Sequence, residues 1–373
     1  VIMHRVVVIG CGLFGSAATR YLAEQFDGVL CVGPGEPQDK KAHGGVFGSH
    51  YDEGRMTRIV DPSIEWAVSA KNSINRYSEL EKRSGIKFFT PCGYLGIGEP
   101  GSDYNDRCAE VAKSLGLVAE RLTASEIRAK FPFLSISLEN DGLIETDTAG
   151  HISPRAMIRA QSKLAEQSGA SFVKEMVTKI TTKSKGIEIQ LASGRMLKTE
   201  KVLLATGGFT SACGLSPIEL KLRVFGRTTV LARIDEPERT ELSSMPTIIH
   251  CKSGAYILPP IKYPDGNTYL KLGVGNDADV TFERLEDLCA WFKGAGSEEN
   301  RLQFTDFIKN LIPALEHCSY WHTDTCVVTQ TATGLPITKY VYEDKIAVAV
   351  GGNGKGAKGA DEWGKIAAGL IAA

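Results

Sequence analysis

The chain begins with an apolar run, a glycine turn and a helix-forming segment in close succession. Residues 6–9 are β-branched and apolar, residues 10–15 read Gly-Cys-Gly-Leu-Phe-Gly, and small or helix-forming residues continue to Ala23. This pattern predicts a strand, a tight turn and a helix. A second apolar run at residues 28–33 predicts the neighbouring parallel strand.

The glycine spacing in the first turn predicts dinucleotide binding. Gly10 permits the tight turn, Gly12 lets the backbone approach a pyrophosphate, and Gly15 lets the helix pack against the strand. Leu13 and Phe14 lie in the same turn, at the start of a helix whose unpaired N–H groups favour an anion. The alternative interpretation is a purely structural glycine turn that binds no ligand. The flanking strand and helix favour dinucleotide binding over this alternative.

The end of the second strand departs from the usual dinucleotide pattern. An Asp or Glu commonly holds the ribose hydroxyls there, whereas this chain has Gly33 followed by Pro34, Gly35 and Glu36. Either Glu36 reaches back to the ribose, or backbone groups replace the carboxylate.

Later segments alternate between helical and strand periodicity, which predicts an α/β (α+β two-domain) chain with a β-rich second part. Thr123 and Glu126 have the spacing of a capping box, and residues 264–267 read as a hairpin turn. The predicted helices are 62–85, 102–115, 123–131, 156–169, 285–293 and 304–312, with a closing helix after residue 359. The predicted strands are 88–89, 93–98, 172–180, 187–191, 201–205 and 346–350, and residues 220–234 and 255–273 are β-rich.

Composition narrows the class of protein. Hydrophobic residues make up 43% and charged residues 23%, as in ordinary soluble proteins. With 43 basic and 44 acidic residues, charge gives no case for nucleic-acid or membrane binding. The nine cysteines include no Cys-x-x-Cys pair, so neither a disulfide framework nor a metal site is indicated. We therefore expect a soluble cytoplasmic or organellar protein with reduced thiols, no membrane segment and no metal.

Two loop segments carry candidate functional side chains. Residues 44–58 are glycine-rich and aperiodic, which predicts a loop, and they contain Ser49, His50, Arg55 and Arg58. A solvated surface turn is the alternative, and an ordinary hydrogen-bonded histidine explains His50 equally well.

The second candidate segment is the glycine turn at 351–359, which lies between a strand and the closing helix. Its glycines let a ligand lie against the backbone, and Lys355 and Lys358 add positive charge. Gly207, at the carboxyl end of the apolar run 202–205, is a further candidate cofactor contact.

Four motifs, in the same order along the whole chain, resemble the flavin-dependent amine oxidases related to monomeric sarcosine oxidase, pipecolate oxidase and N-methyltryptophan oxidase. They are the glycine turn at 10–15, SHYDEGRMTRI at 49–59, YLKLG at 269–273, and TCVVT at 325–329 together with GGNGKGAK at 351–358. The second motif has one extra residue before Arg55.

The resemblance implies FAD as cofactor and a two-domain layout. A Rossmann-like FAD-binding domain would be assembled from 1–85, 148–220 and 325–373. A β-rich substrate-binding domain would comprise 86–147 and 221–324.

The resemblance also implies roles for particular residues. Lys271 would sit over the flavin and promote reaction with oxygen, although a lysine on that strand is ordinarily on its solvent face. Cys326 would be the covalent attachment point, and Arg55 would lie beside the flavin ring. The expected cofactor contacts are Gly10, Gly12, Leu13, Phe14, Gly15, Ser49, His50, Arg55, Gly207, Cys326, Gly352, Gly354, Gly356 and Lys358. The expected substrate contacts are Arg58, Tyr256, Lys355 and Lys358.

The implied reaction is oxidation of the C–N bond of a small amino acid or N-alkyl amino acid by a monomer or small homo-oligomer. A hydride equivalent passes to FAD, the imine is hydrolysed, and oxygen is reduced to hydrogen peroxide. Two alternatives stay open: a dehydrogenase that passes electrons to a carrier, and an FAD-binding regulatory or RNA-modifying protein without amine turnover.

Three positions depart from sarcosine oxidase. Gly275 and Lys355 each stand where that enzyme has a histidine, and Val328 stands where it has an aromatic residue. Because Lys355 adds positive charge, our hypothesis is a substrate more anionic than sarcosine, such as an amino acid with a second acidic group or an aminophosphonate.

Overall fold

The computed structural model describes residues 2–236, 238–275 and 280–373. The strands are β1 (Met3–Ile9), β2 (Val29–Val32), β3 (Arg55–Thr57), β4 (Phe89–Thr90), β5 (Tyr94–Gly98), β6 (Glu120–Thr123), β7 (Asp141–Glu145), β8 (Gly150–Ile152), β9 (Ser171–Val173), β10 (Val177–Lys183), β11 (Gly186–Leu191), β12 (Met196–Leu204), β13 (Leu222–Arg233), β14 (Thr247–His250), β15 (Ala255–Lys262), β16 (Thr268–Val274), β17 (Trp321–Thr331), β18 (Ile337–Tyr342) and β19 (Ile346–Val350). The helices are α1 (Leu13–Ala23), α2 (Ile64–Ser84), α3 (Tyr104–Ser114), α4 (Ala124–Lys130), α5 (Pro154–Gln167), α6 (Phe209–Ala212), α7 (Glu238–Glu241), α8 (Leu285–Lys293), α9 (Glu298–Leu311) and α10 (Ala360–Ala372), with a 3₁₀ turn at Pro313–Leu315.

The first sheet has the order β10-β11-β12-β1-β2-β9, and β19 pairs with β12 and with β18. Strand β1 runs parallel to both β2 and β12. Val6 and Val8 pack with residues of α1 and α10, whereas Val7 and Ile9 pack on the other face with residues of β11 and β19. Both faces of β1 are therefore covered, which explains its continuous apolar run.

The second sheet has the order β17-β13-β16-β15-β14-β5-β7-β6. Strands β13 and β17 pair antiparallel from Leu222↔Thr331 to Ala232↔Trp321. The expected domain boundary at residue 325 falls inside β17, so the strand that carries Cys326 belongs to this second sheet.

A third, small sheet joins β3, β8 and β4 and corrects the prediction for residues 44–58. The segment is irregular through Gly54, but Arg55–Thr57 forms β3 against β8. A strand of three residues is too short to show periodicity, so the sequence pattern did not reveal it.

Most predicted elements are confirmed, but the predicted strand 172–180 is two strands, β9 and β10, and the start of α9 was predicted too late. The capping box is present, because the Glu126 carboxylate accepts from the Thr123 backbone N at 2.7 Å and the Thr123 side chain accepts from the Glu126 backbone N. Helix α9 begins at Glu298 rather than at residue 304, with Ser297 as its N-cap. Its first turn is polar, so apolar spacing located only its second half. No helix in the described part of the chain is both long and apolar enough to span a bilayer.

Candidate active site

A cavity of about 510 Å³ lies between the first two sheets. It lies at the carboxyl ends of β1, β2, β12 and β19, where ligands bind in parallel α/β sheets. The second sheet contributes Arg227 from β13, Tyr256 and Leu258 from β15, and Cys326 from β17. The cavity therefore joins the glycine turns of one sheet to side chains of the other.

The glycine turn after β1 has the geometry that a bound pyrophosphate requires. Gly10 has φ +109°, and a Cβ on Gly15 would lie 1.8 Å from the Gly10 carbonyl oxygen, so neither position accepts a side chain. Helix α1 starts after Gly12 without a side-chain cap and without an acid in its first turn. Gly12, Leu13 and Phe14 at this helix start line the cavity, and the uncapped N–H groups of a helix start suit an anion.

The Glu36 side chain forms an ion pair with Arg155. The Glu36 carboxylate accepts from Arg155 at 2.6 and 2.8 Å, whereas Gly33 and Pro34 line the cavity. Glu36 is thus engaged elsewhere, and the geometry favours backbone groups near Gly33 as the replacement for the usual carboxylate.

Lys271 is buried at 1% exposure, so it is not on a solvent face. Its ammonium contacts the Asp52 carboxylate and donates to the Gly54 carbonyl oxygen at 3.1 Å. Asp52 also contacts the Arg55 guanidinium and accepts from the Tyr263 hydroxyl at 2.7 Å. Burial, together with the charge of Arg55, lowers the pKa of Lys271 well below its usual range. We call Asp52, Lys271, Arg55 and Tyr263 the Asp52 cluster.

Arg55 connects this cluster to the cysteine on β17. Its Nη2 donates to the Ser49 carbonyl oxygen at 2.9 Å and lies 3.7 Å from the Cys326 Sγ. The Ser49 hydroxyl donates to the Val327 carbonyl oxygen at 3.1 Å, so Ser49 connects the loop 44–54 to β17.

His50 lines the cavity as a neutral side chain. Burial, together with the charges of Arg55 and Arg155, lowers its pKa to about 3. At neutral pH it therefore offers a hydrogen-bonding nitrogen and no positive charge.

Asp61 is fully buried and holds a second group of cations together. Lys355 donates to its Oδ1 at 2.8 Å, Lys358 donates to its Oδ2 at 2.7 Å, and Arg58 Nη1 lies 3.9 Å away. Burial opposes ionisation of Asp61, but Lys358, Arg58 and Lys355 together hold its pKa far below the ordinary carboxyl value. We call these four residues the Asp61 cluster.

Arg58 is held on several sides by the protein. Its Nη2 donates to the Tyr104 hydroxyl at 2.7 Å, its guanidinium lies 4.6 Å from the centroid of the Tyr94 ring, and it contacts the Val60 carbonyl oxygen. The residue is thereby fixed in the cavity wall, with its charge directed to the same region as Lys358.

Lys358 gives the site a pH dependence. Burial, together with the charges of Arg58 and Lys355, lowers its pKa to about 8 although Asp61 raises it. A carboxylate ligand binds the charged form, so its affinity is complete below that pKa and declines as the pH rises through it. We expect KM for a carboxylate substrate to rise above a pH of about 8 in wild type. In Lys358→Arg, which stays charged, KM should be flat over the same range; an equal rise in both would contradict this role.

Sixteen of the eighteen residues singled out as site candidates line the cavity, and Gly15 and Lys271 lie behind its wall. Gly15 contacts the turn itself, and Lys271 contacts Asp52. Sequence reasoning assigned no role to Asp52, Asp61, Tyr104 or Arg227. Asp61 precedes α2 and accepts from the Ser63 backbone N at 2.9 Å, so locally it looks like an ordinary helix-start residue.

A mixed sheet whose central strands are parallel, a glycine turn, an uncapped helix start and a cation-lined cavity are typical of a dinucleotide-binding protein. The sequence model described as FAD dependent oxidoreductase (DAO) matches residues 5–370. The chain therefore belongs to this family of FAD-dependent oxidoreductases.

Individual relatives agree with this assignment. Monomeric sarcosine oxidase of Arthrobacter sp. (strain TE1826) is 27% identical over 259 residues, which cover 68% of this chain and 64% of that enzyme. N-methyl-L-tryptophan oxidase of Yersinia pestis (strain Pestoides F) is 22% identical over 98% of this chain and 94% of that enzyme. The structure of NikD, an unusual amino acid oxidase, superposes with a TM-score of 0.78 at 18% identity, over 100% of this chain and 94% of that one. At this identity the NikD likeness shows the fold.

The residues present fit FAD. The turn at Gly10 and Gly12 would hold the pyrophosphate, Gly33 lies where the ribose would be, and Arg55 and Cys326 lie in the same cavity where the flavin would reach the second sheet. The glycine turn after β19 would lie along the cofactor, because Gly352, Gly354 and Gly356 leave that wall without side chains.

Proposed function

We propose that this enzyme oxidises the C–N bond of a small amino acid or N-alkyl amino acid and reduces oxygen to hydrogen peroxide. One observation carries the proposal: Arg58 and Lys358 are buried cations in the wall of the same cavity that the glycine turn after β1 enters. This arrangement would place a carboxylate-bearing substrate beside a flavin. The names of the sarcosine and N-methyltryptophan oxidases support the same reaction class.

The chain's own residues would bind and orient the substrate. Lys358 and Arg58 would neutralise the carboxylate through charge-assisted hydrogen bonds, with Asp61 fixing the lysine. The phenol of Tyr256 lines the same cavity and offers a further polar contact. Fixing the carboxylate in this way would direct the carbon next to nitrogen toward the centre of the cavity.

FAD, when bound, would supply the acceptor for a hydride equivalent from that carbon and the route by which two electrons reach oxygen. The nitrogen loses a proton, and the resulting imine takes up water to give a carbonyl compound and the free amine. Oxygen gains two electrons and two protons as hydrogen peroxide. Arg55 lies near Cys326, and Lys271 is ion-paired with Asp52 behind it; their positive charge would favour the negative charge that develops during reduction.

A dehydrogenase is the second candidate, and one observation favours it. Asp52 contacts both Lys271 and Arg55, so part of the positive charge that would promote oxygen reduction is compensated. Purified holoenzyme given a panel of primary and N-methyl amino acids distinguishes the two. One peroxide formed per oxygen consumed supports the oxidase, whereas turnover only with an added electron carrier supports the dehydrogenase. No turnover of any amine supports a regulatory or RNA-modifying protein.

Covalent attachment of the flavin through Cys326 is a further part of the proposal. Cys11, Cys213 and Cys326 all line the cavity, so cysteine substitutions provide matched controls. After acid precipitation, we expect the yellow colour to stay with the pellet in wild type and in Cys213→Ser, and to pass to the supernatant in Cys326→Ser. Colour released from wild type would contradict covalent attachment and leave FAD bound without a bond.

A further inference from the structure

Two thiols are in contact beside the glycine turn that would hold the pyrophosphate. In the part of the chain that the structure describes, all nine cysteines are free. Cys11 lies in the turn after β1 and Cys31 lies in β2, and their Sγ atoms are 3.0 Å apart. Cys11 lines the cavity, whereas Cys31 is fully buried. The pair therefore has one sulfur in the cavity wall and one in the core behind it.

The Cys11 sulfur also lies next to the expected ribose position. Its Sγ is 3.9 Å from the Gly33 carbonyl oxygen, and a Cβ on Gly33 would lie 3.3 Å from that Sγ and 3.1 Å from the Cys11 backbone N. A side chain at position 33 would therefore crowd Cys11, which gives a physical reason for glycine where dinucleotide folds usually have an acid. A change at Cys11 would act on both the pyrophosphate and the ribose contacts.

A disulfide between these two sulfurs would move the turn more easily than the strand. Bonded sulfurs are about 2.0 Å apart, so the two atoms would have to approach by about 1 Å. Cys31 is held by β2, which pairs with β1 on one side and with β9 on the other. Cys11 lies two residues beyond the end of β1, between Gly10 and Gly12. The approach would therefore displace the backbone N–H groups that face a bound pyrophosphate.

We propose that Cys11 and Cys31 are a redox pair, which hydrogen peroxide converts to a disulfide that weakens the hold of the glycine turn on FAD. The Cys11 thiolate attacks one oxygen of the peroxide, the O–O bond breaks, and a sulfenic acid and one water result. The Cys31 sulfur then attacks the Cys11 sulfur, loses its proton and releases a second water. Two thiols lose two electrons in total, and one peroxide is reduced to two waters.

The oxidant is the product of the proposed amine oxidation, and the inference rests on that function for its source of peroxide. Cys11 lines the cavity in which the peroxide would form. Accumulated product would thereby loosen the cofactor and slow further turnover. Because intracellular thiol reductants reverse exchangeable disulfides, the pair would return to the dithiol when the peroxide is removed.

The surroundings of Cys11 make this oxidation slow at neutral pH. The hydrogen bond with Cys31 and burial raise the pKa of Cys11 well above its ordinary value, although the charge of Lys174 opposes the rise. The thiolate is the form that reacts with peroxide, and it is a minor form at neutral pH. Disulfide formation should therefore need sustained exposure to peroxide, and its rate should rise with pH.

The test treats the purified holoenzyme with hydrogen peroxide, which catalase then removes. Alkylation followed by peptide mass spectrometry should find Cys11 joined to Cys31, with the loss of two free thiols. Flavin fluorescence should rise, because the flavin is held less firmly whether it leaves the protein or stays attached to Cys326. Dithiothreitol should restore both the thiols and the original fluorescence.

Two variants make the test specific. Cys31→Ala removes the buried sulfur and leaves the cavity wall intact, so this variant should bind FAD normally and resist the change in fluorescence. Its Cys11 should stop at the sulfenic acid, which dimedone traps. Cys213→Ser is the matched control, because Cys213 lines the same cavity and meets the same peroxide. It should respond as wild type does.

The outcomes separate this inference from the proposed function. Peroxide-treated wild type without a link between Cys11 and Cys31 would overturn the redox pair. An equal change in fluorescence in Cys31→Ala, or no recovery with dithiothreitol, would overturn the effect of the disulfide on FAD. Because the peroxide is added, none of these results depends on amine turnover. A wild type that forms the disulfide but oxidises no amino acid would overturn the proposed function and keep the redox pair, with peroxide from another source.

Discussion

Replacing Lys271 with methionine is expected to slow the reaction of the reduced enzyme with oxygen by about 10²- to 10³-fold, the effect of removing a preorganised charge. Oxygen acquires negative charge as it is reduced, and a buried ammonium stabilises that charge without reorganising. The first half of the reaction should change little, because Lys271 does not line the substrate cavity. Rapid mixing of reduced enzyme with oxygenated buffer measures the affected step directly.

Two further variants make this prediction specific. Lys262→Met removes an exposed lysine at the end of β15 and should leave both half-reactions unchanged. Asp52→Asn removes the carboxylate that pairs with Lys271; because a buried lysine without its counterion loses its proton more readily, the rate of reaction with oxygen should fall as well. Unaltered oxygen reactivity in Lys271→Met would remove this lysine from the mechanism and favour electron transfer to a carrier.

Replacing Asp61 with asparagine is expected to lower the free energy of unfolding by about 3 kcal/mol or more, because it leaves buried cations without their counterion. Lys358 and Arg58 are both buried and would face each other uncompensated. The carboxylate binding site should be lost with the positions of these side chains. Urea unfolding of the holoenzyme measures the stability, and KM for a carboxylate substrate measures the binding.

The loss of stability in Asp61→Asn should depend on pH, because the pKa of Asp61 is lowered in the folded chain. A carboxyl group whose pKa is lower in the folded chain stabilises the fold above its unfolded pKa of roughly 4 and loses that contribution as the pH falls through the folded value. The difference between wild type and Asp61→Asn should therefore be largest near neutral pH and shrink below a pH of about 4.

An exposed ion pair provides the control for this variant. Asp103 pairs with Arg107 at 3.3 Å on the surface of α3, and Asp103→Asn should cost under roughly 1 kcal/mol. If Asp61→Asn destabilises the holoenzyme no more than Asp103→Asn does, then Asp61 is not the counterion that holds the cluster together.

The first strand, turn and helix were predictable because their signals are local. Four consecutive apolar residues, three glycines at fixed spacing and the following small residues lie within about twenty positions. The capping box at Thr123 was predictable for the same reason, since both partners lie in one turn. Polar helix starts carry no apolar signal, which is why the beginning of α9 was missed.

The candidate site was only partly predictable, because its charges are arranged by contacts between distant segments. Lys358 and Asp61 are 297 positions apart, and Glu36 and Arg155 are 119 apart. The alternation along β16 places Lys271 on the opposite face of the strand from Leu270 and Leu272. The sequence did not show that the Lys271 face is buried too, because this depends on how the strands are arranged in the folded chain. Arg227 had no local signal; the glycines at 273 and 275, whose space it and Tyr256 fill, were the only trace.

Anaerobic mixing of the FAD-loaded enzyme with amino acids, followed by admission of oxygen, tests the central claim most directly. The account predicts that a carboxylate-bearing primary or N-methyl amino acid bleaches the flavin absorbance without oxygen. Oxygen should then restore the absorbance and yield one hydrogen peroxide and one carbonyl product per flavin. A flavin that stays oxidised with every amino acid offered would contradict the assignment of this cavity as an amine-oxidising site.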